Sequence, residues 1–165
     1  MSNPSFETIG SGWNGQSANW LSDFGGSVNW FTGWTASITQ GIGPVGQTPL
    51  TGWSIGNIPS GTVALLLFPR PSDISITNTI TGLTNGSTYT LYFYLGSYTY
   101  AVGNGATLQV IINGNITPYT ITSLTLPFTQ QSISFTATST SASLVLKVLA
   151  STGDYRIILD NFTFK

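Results

Sequence analysis

The sequence predicts an all-β domain, an antiparallel β-sandwich, and three observations carry that expectation. Along its 165 residues no window repeats apolar positions at the spacing of a helix face. From about Thr62 onward, short runs of alternating or continuous apolar residues recur at roughly 10–12-residue intervals. Between the runs stand turn residues, chiefly Gly, Pro and Asn-Gly pairs.

The elements follow in order. VALLLF (63–68) is continuously apolar, which suits a buried strand, and it ends at Pro69 and Pro71. ISITNTI (74–80) alternates Ile74 and Ile76 against Ser75 and Thr77. Gly82 and Asn85-Gly86 then mark a turn before TYTLYFYL (88–95). Thr107–Ile112 is closed by Asn113-Gly114, the strongest hairpin signal in the chain, with residues 119–124 as the expected partner. SISFTAT (132–138) and SLVLKVL (143–149) read as a strand pair joined by a Ser/Thr turn, and IILDNFTF (157–164) reads as a last strand. The expected core is Phe6, Val63, Leu65, Leu67, Leu91, Phe93, Leu108, Val110, Phe135, Leu144, Leu146 and Ile158. Residues 9–61 have another texture: Gly-rich, loop-heavy and holding all five Trp. One domain spanning 1–165 accommodates both textures, since a chain of this length buries one continuous core.

Composition excludes several functions. Hydrophobic residues make up 41% of the chain and charged residues 5%, against about 25% charged in ordinary soluble domains. Hydroxyls and amides must therefore wet the surface, and association is little opposed by charge repulsion. Four basic residues cannot neutralise a phosphate backbone, so nucleic acid is not an expected partner. Without Cys there is no disulfide framework or thiolate metal site, and without His there is no Ser-His-Asp triad. The five carboxylates (Glu7, Asp23, Asp73, Asp154 and Asp160) are too dispersed for the paired acids of glycoside hydrolysis. A non-catalytic role is expected. No apolar run reaches the roughly 18 residues of a membrane span. MSNPSFETIG lacks the basic and apolar regions of a signal peptide, so either a leader has been trimmed away or the protein leaves a cytoplasm by another route, such as cell lysis.

The motifs NPSFET, GWTAS (33–37), ITNTITGLTNGSTYTLYFYL (76–95), TLQVIING (107–114) and GDYRIILDNFTF (153–164) run in a familiar order. Together they resemble the galactose-binding-domain-like jelly rolls of the family 4, 9 and 22 carbohydrate-binding modules. The resemblance spans nearly the whole chain, with Asn3-Pro4 in place of the usual Asn-Gly. It implies a jelly roll whose opening and closing strands are neighbours. It also implies that Glu7 and Asp160, one on each of those strands, share a structural calcium; carboxylates and carbonyl oxygens suit that hard cation. Acceptance of backbone N–H bonds is the other reading of the same two carboxylates.

Alternation in TYTLYFYL puts Tyr89, Leu91, Phe93 and Leu95 on one face and Tyr92 and Tyr94 on the other. The resemblance implies that the second face takes sugars: rings stack on tyrosines, and amides such as Gln109 on the next strand, or cations such as Lys147 and Arg70, take hydroxyls. Burial under residues 9–61 or a partner subunit stands as the alternative. Trp34 is expected in the core, while Trp53, like Trp13, Trp20 and Trp30, sits among loop residues where recognition concentrates. Two functions are compatible with these features. One is a glycan-binding or adhesion module, extracellular or on a virion surface. The other is a self-associating structural subunit, such as a virion coat, decoration or fibre protein.

Overall fold

The computed structural model describes residues 1–8, 31–37, 41–46, 57–69, 72–99, 105–122, 125–150 and 155–165. Ten strands occupy them: β1 (Thr35–Ala36), β2 (Ile42–Gly46), β3 (Val63–Leu67), β4 (Ile74–Thr81), β5 (Thr88–Thr99), β6 (Ala106–Ile112), β7 (Asn115–Ile121), β8 (Thr125–Thr136), β9 (Ser141–Val148) and β10 (Tyr155–Phe164). They form two antiparallel five-stranded sheets, a front sheet ordered β2-β3-β10-β5-β8 and a back sheet ordered β1-β4-β9-β6-β7. No helix occurs among the described residues. The expected sandwich is present.

One core cluster fills the space between the sheets. Leu65, Leu67, Leu91, Phe93, Leu95, Ile157 and Leu159 come from the front sheet, and Ile74, Ile76, Leu108, Val110, Leu144 and Leu146 from the back. Strict alternation generates it: β4 and β6 bury every second residue, so each strand's apolar set reaches the same face. β3 is different. Its five residues are all buried, as the continuous run VALLL requires, because both of its faces are covered. Leu66 and Ala64 turn outward with Ile158, Val45 and Ile58 into a second small cluster on the front sheet's outer side. Ile158 is thus buried, but outside the main core. Phe135 is only half-buried, packed against the core's edge.

Three local expectations are corrected. Residues 132–138 and 143–149 do not pair: β8 pairs with β5 in the front sheet, while β9 lies between β4 and β6 in the back sheet. The intervening Ser/Thr segment crosses between sheets instead of closing a hairpin. The partner of β6 begins at Asn115, directly after Asn113-Gly114, and ends at Ile121. Both turn residues have positive φ (48° and 85°), the type I′ conformation that matches hairpin twist. Finally, the opening segment is a turn and not a strand.

That turn nevertheless lies against the last strand. The Phe162 N–H donates to the Pro4 carbonyl at 2.9 Å, and the Phe6 ring packs 5.8 Å from Phe162. Phe6 has a positive φ of 60°, an uncommon conformation for a bulky residue. Surrounding contacts fix it: Phe31 and Trp34 each stand 5.0 Å from its ring, and the Trp34 indole N–H donates to the Asn3 carbonyl. Trp34 is in the core, as expected. Asn78, buried on the inner face of β4, donates to the Ser2 carbonyl and ties the same segment to the back sheet.

Candidate functional site

The outer face of the front sheet carries the candidate site. In β5, Leu91, Phe93 and Leu95 are buried inward, which turns Tyr92 and Tyr94 outward, where both are half-buried. Antiparallel pairing sets their neighbours. Tyr94 stands opposite Gln130 and Tyr92 opposite Ser132 on β8, with Thr90 and Ser134 next along. Gln130, Ser132 and Ser134 are exposed. Thr90 and Ser134 join their hydroxyls at 3.2 Å. On the other flank of β5, Tyr92 pairs with Thr163 and Tyr94 with Asp160 of β10. Tyr92 and Tyr94 are about 6.5–7 Å apart along the strand.

Residues 57–62 bound this face on one side. Ile58 packs over Ala64, Leu66 and Ile158, and the Ser60 N–H donates to Asp160 Oδ2 at 2.8 Å. The β2-β3-β10 half is therefore covered, while β5 and β8 present tyrosines, hydroxyls and an amide.

Gln109 is not on this face. β6 belongs to the back sheet, and Gln109 alternates with the buried Leu108 and Val110, so it points out of the opposite side of the sandwich. Sequence order suggested adjacency to β5, but consecutive strands here change sheets. Lys147 stands opposite Gln109 on the same back face, and its ammonium pairs with Asp73 Oδ2 at 2.8 Å. That bond, with the Ala150 N–H, holds the Asp73 carboxyl below its ordinary pKa. The residue that occupies the place expected for Gln109 is Gln130. Its signal was present in the alternation of β8, but only the β5–β8 pairing reveals it. Trp53 and Arg70 lie outside the described residues, as do Trp13, Trp20 and Trp30.

The structure brings Glu7 and Asp160 to one place. Glu7 Oε1 accepts the N–H groups of Thr62 and Val63 at 3.0 and 2.9 Å, and its other oxygen accepts the Thr62 hydroxyl. Asp160 is fully buried, where a β-bulge interrupts the pairing of β10 with β5. Asn161 takes up the bulge with a φ of 52°, which Asn tolerates better than most residues, and Phe162 is thereby returned to the core. Burial raises the Asp160 carboxyl to a pKa of about 7, against the lowering effect of the Ser60 and Asn161 N–H groups and with a small push from the Glu7 charge. Its Oδ1 atom is buried and has no hydrogen-bond partner among the described residues. Among the described residues no three His, Cys, Asp or Glu side chains converge as a metal cluster.

No protein-family model and no curated protein matches the sequence. Solved structures do match. A family 61 carbohydrate-binding module in complex with β-1,4-galactotriose superposes with a TM-score of 0.58 at 14% identity, over 100% of this chain and 96% of that one. The K1 cleaved adhesin domain of the Lys-gingipain of Porphyromonas gingivalis W83 gives 0.56 at 12% identity, over 81% and 90%. A family 4 carbohydrate-binding module gives 0.50 at 19% identity, over 81% and 94%. The chain has the jelly-roll fold of carbohydrate-binding modules.

Proposed function

We propose that the chain is a non-catalytic carbohydrate-binding and adhesion module that acts outside the cell and holds a glycan on the outer face of the front sheet. The observation that carries the reading is the pair Tyr92 and Tyr94, turned outward beside Gln130 and Ser132. Flat aromatic faces take the apolar faces of sugar rings, and the amide and hydroxyls take ring hydroxyls. The near absence of charge points to a neutral glycan. The shared fold supports this reading, and the ligand of the family 61 module makes β-1,4-linked galacto-oligosaccharides the first glycans to test. Catalysis finds no support in the residues: the chain has no His, and Glu7 and Asp160 are engaged with backbone. Glycan-array screening followed by calorimetry tests the reading. Binding lost in Tyr92→Ala supports it, and no binding to any neutral glycan overturns it.

Glu7 and Asp160 are proposed to hold a structural calcium. The buried, unpartnered Asp160 Oδ1 fits a hard cation, and backbone carbonyls or water complete a ligand set to which two carboxylates contribute. Bound there, calcium stabilises ionised Asp160 and ties the opening turn to the last strand.

A further inference from the structure

The two sheets end on the same flank. Among the described residues β7 closes the back sheet and β8 the front sheet, each paired on one side only. Between the β6–β7 turn and β8 lies a groove of about 250 Å³. Ile133 and Phe135 are part of its apolar lining, and Asn113, Asn115, Thr117 and Thr138 are part of its polar lining. Among the described residues no charged side chain lines it.

Two of its groups are held in place, and its polar groups are available. Asn113 is fixed by the turn and by the Ser143 N–H on its Oδ1 at 2.9 Å, which leaves its Nδ2 group without a partner among the described residues. The side chains of Asn115, Thr117 and Thr138 likewise make no hydrogen bond among the described residues. Phe135 is steadied by stacking on Tyr89, with ring centroids 5.9 Å apart.

We infer that this groove is a second binding site, shaped for a single neutral pyranose ring. At about 250 Å³ the groove is a little smaller than a drug-sized pocket, a space on the scale of one sugar ring. A pyranose is apolar on its C–H faces and ringed by hydroxyls, which matches an Ile and Phe wall facing amides and hydroxyls. The uncharged lining excludes selection for acidic sugars or phosphate esters. This site lies between the edge strands, apart from the outer face that carries Tyr92, so it does not depend on the tyrosine reading.

Titration of ¹⁵N-labelled protein with D-glucose, D-galactose and D-mannose tests it. At least one hexose should shift the amides of residues 112–117 and 133–138 saturably. The double variant Asn115→Ala/Thr117→Ala, altered outside the core, should weaken that binding at least about tenfold. Tyr92→Ala should leave it within about twofold. The inference is overturned if no hexose up to about 100 mM moves those amides, or if the shifts persist unchanged in the double variant. Shifts confined to the surroundings of Tyr92 would overturn it while sustaining the proposed glycan face.

Discussion

Glu7 and Asp160 grip the same short loop from opposite ends of the chain. Asp160 accepts the Ser60 N–H, and Glu7 accepts those of Thr62 and Val63, so the segment entering β3 is clamped on both sides of Gly61. The opening turn and the closing strand are thereby joined through a third element, in addition to the Phe6–Phe162 contact.

Gly61 is the point where this clamp tolerates least change. Its φ is +71°, and an added Cβ would collide with the Glu7 carboxylate. Gly61→Ala should cost about 1–3 kcal/mol through backbone strain and displacement of Glu7. Urea denaturation measures it; a loss within error of zero would show that the loop relaxes freely.

Asp160 makes stability depend on pH in metal-free protein. Its folded pKa of about 7 stands above the ordinary 3.8. Below pH 4 the carboxyl is protonated in both states. Between pH 4 and 7 the unfolded chain releases its proton and the folded one keeps it, so stability falls as pH rises, then levels off. Thermal melts in chelator from pH 4 to 8 should show that decline, and Asp160→Asn should flatten it. A wild-type profile equally flat would remove Asp160 as its source.

Calcium should oppose this decline. A ligand that binds only the folded state stabilises it by about 2.7 kcal/mol at one hundred times Kd, and raises the melting temperature as its concentration grows. Melts at pH 7.5 with calcium and with chelator should differ, and Asp160→Ala should abolish the difference. Identical wild-type melts would leave both carboxylates as hydrogen-bond acceptors alone.

Much of the fold was legible because alternation is local. The register of β5 could be read from Leu91, Phe93 and Leu95, and the type I′ turn from Asn113-Gly114. Sheet membership is not local. Nothing within SISFTAT or SLVLKVL states that the chain crosses between sheets from one to the other, so local pattern alone pairs those strands and sets Gln109 beside Tyr92. Phe6 was legible as core but not as a left-handed turn residue, since that conformation is imposed by the rings of Phe31, Trp34 and Phe162. Asp160 and Asn161 show the same limit. The sequence suggests a carboxylate on the last strand, while the bulge that buries it exists only once β10 pairs with β5.

The tyrosine face admits a direct test, with the opposite sheet as its control. Tyr92 and Tyr94 are half-buried, so Tyr92→Ala should leave a folded monomer. If the face binds a glycan, that substitution should weaken binding by about 1–3 kcal/mol, the usual effect of truncating an aromatic contact. Gln130→Ala should weaken it by about 0.5–1.5 kcal/mol, through loss of one hydrogen-bonding amide. Gln109→Ala, on the far side of the sandwich, should change nothing. Calorimetry against the tightest array ligand measures all three. Equal losses from Gln109→Ala and Gln130→Ala would refute the placement of the site. If Tyr92→Ala instead shifts sedimentation toward monomer and leaves sugar binding intact, the face is an assembly contact, and the module's ligand is held elsewhere.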